Sequence, residues 1–310
     1  MANLHLQLLG TFQLSYAGSP VTTVNQTRLQ ALLAYLVLQR NAPQSRQHLA
    51  FLFWPDSAET QALTNLRKQL LFLRRMVPDA EQFLRIDAKV VQWNANAAFT
   101  LDVAEYEQRL VQAASLAGAA AIDALQTAVA LYHGDLLPAC YDDWIAPKRA
   151  ELRAKCGQAL ERLLLLHEER RDYSAAIHTG QQLLRHDPLQ ETVYRRLMHL
   201  QAQHGDRAAA LSVYHNCVAV LQRELGVAPS ADTHALYEVL VKQTAPHVVA
   251  QSPALAAVKP PFVGRQGEWQ RLQAIWRKVA HRHTHFVVLT GEAGIGKTRL
   301  AEEFLDWAAQ

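Results

Sequence analysis

The sequence predicts a mainly α-helical chain with a small β component at its N-terminus and the opening of an α/β unit at its C-terminus. Three observations carry this. Residues 4–16 alternate apolar and polar positions; residues 102–243 keep a helical period in which two stretches match at an offset of 34; and residues 286–310 read as strand, glycine-rich loop and helix. At 310 residues, with 50% hydrophobic and 19% charged side chains, the chain falls among ordinary globular proteins of two or three domains. It has neither an apolar run of the ~20 residues that a membrane span needs nor the order of a signal peptide, so a cytoplasmic location is expected. Cys140, Cys156 and Cys217 are far apart and form no CxxC pair, which argues against a disulfide framework or a zinc site.

In chain order, LHLQLLGTFQLSY (residues 4–16) suits short antiparallel strands on either side of Gly10, and Ala17-Gly18-Ser19-Pro20 makes a turn. From Thr27 the period changes: Leu29, Leu32, Leu33, Leu36 and Val37 share one helical stripe, which Asn41-Ala42-Pro43 ends. Ser45 is placed to cap a second, short helix carrying Leu49, Leu52 and Phe53, stopped at Trp54-Pro55. Asp56 with Glu59 resembles a capping box opening a third, longer helix. After Pro78, FLRID and VVQWN read as two strands about a turn at Asp87-Ala88-Lys89. Strands, three helices and a terminal hairpin outline a winged helix-turn-helix over residues 1–96.

The third helix is the candidate reader of DNA. At about 100° per residue, Leu63, Leu66, Leu70, Leu73 and Val77 fall on one side, and Gln61, Asn65, Lys68, Phe72 and Arg75 lie opposite with Thr64 at the edge. Leucines would anchor such a helix while amides and long cations reach base edges and phosphates. Taken alone the helix reads better as a solvated surface face. Its position before a terminal hairpin, in the most basic segment of the chain, favours DNA: residues 27–76 hold seven Lys/Arg against two acids, a larger excess than the +3 of the whole chain. Arg28 and Arg46 of that segment and Lys89 at the hairpin turn complete the candidate set.

Residues 97–243 are expected to form one helical domain. Asp172, Ala175, Ala176 and Ile177 correspond to Asp206, Ala209, Ala210 and Leu211, and Leu163 and Leu166 to Leu197 and Leu200. That offset is the tetratricopeptide period, in which helix pairs stack because neither buries its apolar face alone. Residues 244–260, with three prolines and no sustained period, read as a linker.

From residue 261 a second chemistry begins. GEAGIGKT (residues 291–298) satisfies the phosphate-loop pattern, and it lies between the apolar strand FVVLT and the helix RLAEEFLDWAAQ, the context such a loop requires. Gly291, Gly294 and Gly296 let backbone amides turn onto phosphate oxygens, Lys297 reaches the β/γ phosphates and Thr298 ligates magnesium, so ATP and Mg²⁺ are the expected cofactors. Twelve residues follow Thr298, too few for the strand bearing a second magnesium-holding acid. The chain is therefore expected to be part of a longer protein and not, as it stands, an enzyme. His281, His283 and His285 alternate as metal ligands can, but read better as a solvated turn.

LLGTFQLSYAGSPV, TRLQALLAYLVLQ, SRQHLAFLFWPD and NLRKQLLFLRR resemble the response-regulator-type winged helix of the bacterial antibiotic regulatory proteins. ALYHGDLLPACYDDWI (residues 130–145) is similar to the helical bacterial transcriptional activator domain that accompanies it. Many relatives carry a polar or basic residue where Phe72 stands; a phenylalanine there suits either a thymine methyl or packing on a partner. PPFVGRQGEWQRL is similar to the lead-in of the signal-transduction ATPases of large multi-domain regulators, which makes Arg265 a nucleotide-side candidate. The resemblance implies a transcriptional activator, for which promoter DNA and RNA polymerase are the expected partners and a nucleotide switch is expected in the complete protein; self-association is expected through the helical domain, because paired-helix repeats present a concave surface. No receiver domain is expected ahead of the strands. The competing reading is a signalling ATPase whose N-terminal domains are protein-interaction scaffolds without DNA contact.

Overall fold

The computed structural model describes residues 4–242, 266–279 and 297–308. The chain divides into two compact units, Met1–Ala245 and Pro246–Gln310.

In the first unit, β1 (Leu4–Gln7) and β2 (Gln13–Tyr16) pair antiparallel on either side of Gly10, with β3 (Ser19–Pro20) at one edge. The alternation does what it predicts: Leu4, Leu6 and Leu14 are buried. Gly10 is needed for its backbone, with φ +84° and a neighbour, His133, 3.3 Å from where a Cβ would lie. α1 (Thr27–Leu38) buries Leu29, Leu32, Leu33, Leu36 and Val37. β4 (Gln44–Ser45) leads into α2 (Arg46–Phe53), whose first turn is capped by Ser45 Oγ accepting from the His48 amide at 3.0 Å.

α3 (Glu59–Met76) opens without the expected capping box. Ala58 is its N-cap and no side chain satisfies the first amides, while Glu59 instead accepts from Gln47 Nε2 of α2 at 3.2 Å. After a single helical turn, α4 (Ala80–Phe83), the hairpin of β5 (Leu84–Ile86) and β6 (Val90–Trp93) pairs Leu84 with Trp93 and Ile86 with Val91, as FLRID and VVQWN predict. β4 adds to the other edge of β6.

The boundary expected near residue 96 is crossed by structure. β7 (Phe99–Leu101) runs parallel to β1, and α5 (Asp102–Ala114) follows it directly. Asp102 lies buried with its carboxylate accepting from the amides of Leu8 and Leu9 at 2.7 Å each and of Val103 at 2.7 Å. Burial pushes that carboxyl above its ordinary value against the pull of the three amides.

The helices then pack as successive pairs: α5 with α6 (Gly118–Leu131), α7 (Ala146–Glu169) with α8 (Tyr173–His186), and α9 (Glu191–Gln203) with α10 (Arg207–Leu225), followed by α11 (Ala231–Lys242). The offset of 34 is realised in atoms. Asp172 and Asp206 cap α8 and α10 identically, accepting from the amides of Ala175 at 3.1 Å and Ala209 at 2.8 Å, and Ala176 and Ala210 are fully buried. Gly180 allows α8 and α9 to approach, since a Cβ there would lie 2.7 Å from Leu197 Cδ2. Because Leu197 is itself buried, Gly180→Ala is expected to cost roughly 1–3 kcal/mol of stability in chemical denaturation; a neutral result would show that the contact yields freely.

In the second unit, α12 (Gln266–Val279) and α13 (Lys297–Ala308) pack through Trp269 and Phe304, whose ring centroids are 6.1 Å apart, and Leu272 and Leu300 are buried. Among the described residues no helix is long and apolar enough to cross a membrane.

Candidate functional site

The site begins with the two faces of α3. Ala62, Leu66, Leu70 and Leu73 are buried and Leu63 packs beside them. Gln61, Thr64, Lys68 and Arg75 are exposed, as the wheel predicts. Phe72 is the correction. It is half-buried against the core, and the neighbouring Leu71, at 46% exposed, stands in the outward stripe in its place. The reason is asymmetry: neighbours cover one flank of α3, taking in Asn65, Gln69, Phe72 and Met76, so the exposed centre turns toward Thr64, Lys68, Leu71 and Arg75. These four fall within about 60° of one another at ~100° per residue. Asn65 sits half-buried at the margin, where it accepts from Gln61 Nε2 at 2.9 Å, so the two amides are joined.

Lys89 at the hairpin turn is exposed, and its carbonyl takes the amide of Arg46 at 2.9 Å, which ties the start of α2 to the hairpin tip. Arg46 reaches back to the Asp87 carbonyl at 3.5 Å. Arg28, the remaining cation of the expected set, points elsewhere. It pairs with Asp142 at 2.8 Å and lies 5.9 Å from the ring centres of both Phe53 and Trp54. Sequence position within a basic segment cannot separate a cation bound for DNA from one spent on an internal joint.

That joint is built by the GDLLP and YDDW elements. Gly10 N donates to the Asp135 carbonyl at 3.0 Å and Leu137 N to the Leu8 carbonyl at 2.9 Å, extending the N-terminal sheet onto the helical region. Arg149 of α7 gathers the carbonyls of Leu136, Leu137 and Cys140 at 2.7–2.9 Å. Trp144 sets its ring edge-on to Tyr35 of α1 at 5.1 Å and packs on Phe53 of α2 at 6.1 Å. The helix pair that positions α3 is thus clamped to the helical repeats.

The three cysteines are buried; burial pushes the thiols of Cys156 and Cys217 up to about 11, so they stay protonated at neutral pH. Among the described residues no group of three or more His, Cys, Asp or Glu is arranged to hold a metal. Arg265, Gly291, Gly294, Gly296 and the histidines at 281, 283 and 285 lie outside the described residues. α13 begins at Lys297, so the backbone of Lys297 and Thr298 forms the first turn of a helix directly after the glycine loop, the position at which a helix N-terminus favours an anion.

Known families match two stretches of the chain. The bacterial transcriptional activator domain matches residues 101–240, and the AAA ATPase domain matches residues 261–310. The regulatory protein AfsR of Streptomyces griseus is 24% identical over 311 residues, covering 96% of this chain and 32% of that protein. The transcriptional regulatory protein MoaR1 of Mycobacterium tuberculosis is 25% identical over 261 residues, covering 77% of this chain and 80% of that one. The chain thus spans about a third of the length of the Streptomyces relative. The structure of Mycobacterium tuberculosis EmbR in complex with a low-affinity phosphopeptide superposes with a TM-score of 0.59 at 21% identity, covering 92% of this chain and 73% of that one, which supports the same arrangement of fold. The chain carries a bacterial transcriptional activator domain behind a winged helix and the start of an AAA ATPase domain after it, and it is similar over most of its length to the regulatory proteins AfsR and MoaR1.

Proposed function

We propose that this chain is the promoter-binding and coupling part of a transcriptional activator, with α3 seated in a major groove and the β5–β6 hairpin against the flanking backbone. The observation that carries this is the outward stripe of Gln61, Thr64, Lys68, Leu71 and Arg75, backed by a buried leucine stripe and flanked by the exposed Lys89. Lys68, Arg75, Lys89 and Arg46 supply phosphate or guanine donors, and Gln61 and Asn65 supply amides suited to adenine. Self-association and contact with RNA polymerase belong to the helical region, whose stacked pairs offer a broad surface. Duplex binding by the chain should fall steeply with salt, by a log–log slope that counts the phosphates neutralised. A duplex recovered from a random pool and titrated between low and physiological salt is the test, and affinity that is absent or flat with salt would overturn the reading.

In the complete protein the loop of Gly291, Gly294 and Gly296, with Lys297 and Thr298, holds the phosphates of ATP and its Mg²⁺, with Arg265 near the nucleotide. The support is the sequence pattern and the helix that starts at Lys297. Lys297→Ala in the complete protein is expected to remove binding of a labelled ATP analogue, by roughly a hundredfold or more, while leaving DNA affinity unchanged. Retained nucleotide affinity would show that another cation serves the phosphates.

A further inference from the structure

A hollow of about 760 Å³ opens between the end of α7, the α7–α8 turn and α9, lined by Glu168, Arg171, Tyr173, Arg195, Arg196 and His199 among others. Three guanidinium groups line it, two of them already paired with carboxylates. Arg195 is fixed by an ion pair with Glu191 at 3.5 Å and by donating to Thr233 Oγ1 of α11 at 3.0 Å and to Ser230 Oγ just before it at 3.2 Å, and Arg196 is held by Glu168 at 3.1 Å. Arg171 is exposed, and no ion pair is formed by it among the described residues.

The conformation of Arg171 is the second observation. Its φ is +58°, in the left-handed region that side chains rarely adopt. At the offset of 34 the equivalent turn carries Gly205, at φ +90°, which suits that backbone without strain. The first repeat therefore keeps a long cation where its own geometry favours glycine, at the rim of a basic hollow.

We propose that this hollow docks an acidic peptide segment of a partner protein, with Arg171 gripping a carboxylate and the anchored Arg195 and Arg196 adding the N–H donors that their own partners leave over. Planar guanidinium groups match carboxylates through paired hydrogen bonds, and two of the three are already immobilised, so little ordering remains on binding. The hollow is too small to admit a duplex, and Tyr173 is one aromatic ring where a single nucleic-acid strand would use several as stacking platforms.

The test is fluorescence anisotropy of the full chain with a labelled oligoglutamate peptide, alongside a labelled oligolysine peptide and a labelled single-stranded oligonucleotide. Arg171→Gly is the decisive variant because it removes the cation and relieves the backbone strain together. It is expected to raise the melting temperature while weakening oligoglutamate binding roughly tenfold, whereas Lys68→Ala, on the DNA-facing stripe, leaves that binding unchanged. The proposal is overturned by any of three results: no oligoglutamate binding by the wild-type chain, equal binding by Arg171→Gly, or an Arg171-dependent preference for the oligonucleotide.

Discussion

Trp144→Ala is expected to destabilise the first unit by roughly 3–5 kcal/mol, the cost of truncating a large packed aromatic. Its more informative effect is on cooperativity. Trp144 is carried by the segment before α7, yet its ring packs edge-on to Tyr35 of α1 and against Phe53 of α2, both of which are buried. The indole Nε1 is buried without a hydrogen-bond partner, so the residue is held there by its apolar contact and not by polar pairing. Trp144→Ala should therefore split urea denaturation into two transitions, the winged helix first, while Trp144→Phe keeps one transition at a modest loss. A single transition with less than about 1 kcal/mol lost in the alanine variant would mean that the Arg149 and Asp102 hydrogen bonds hold the joint unaided.

How much of this was legible in the sequence depended on the length of the signal. The leucine stripe of α1, the Ser45 cap, the hairpin and the paired Asp172 and Asp206 caps were all readable, because each repeats a periodic or local rule several residues long. β4 and β7 were not, since two- and three-residue strands have no period and form only because a partner edge from distant sequence lies beside them. The capping box failed because Glu59 found a partner across the turn, in Gln47. Phe72 and Leu71 show the limit of a helical wheel: it locates the buried centre correctly but treats both flanks alike, and which flank is covered is decided by tertiary neighbours. Arg28 failed for a related reason, since its partner Asp142 is 114 residues away.

Lys68→Ala is expected to weaken binding to a selected duplex by roughly 5- to 100-fold, and to lower the salt slope by about one if the contact is to phosphate. Arg28→Ala, equally basic and nearby in sequence, is expected to lower thermal stability and leave the salt slope unchanged, because its charge is spent on Asp142. The two variants together separate charge in the groove from charge in the joint. Leu71 refines the contact further. An exposed leucine between Lys68 and Arg75 has one complementary group in a major groove, the thymine C5-methyl. Leu71→Ala should then cost roughly three- to fivefold on a thymine-containing duplex, the worth of about one buried methylene. Replacing the contacted thymine by deoxyuridine should cost the wild-type chain the same amount and cost Leu71→Ala nothing more. If the two losses add, Leu71 and the methyl act on separate contacts, and α3 is seated in the groove at a different rotation from the one its exposed stripe indicates.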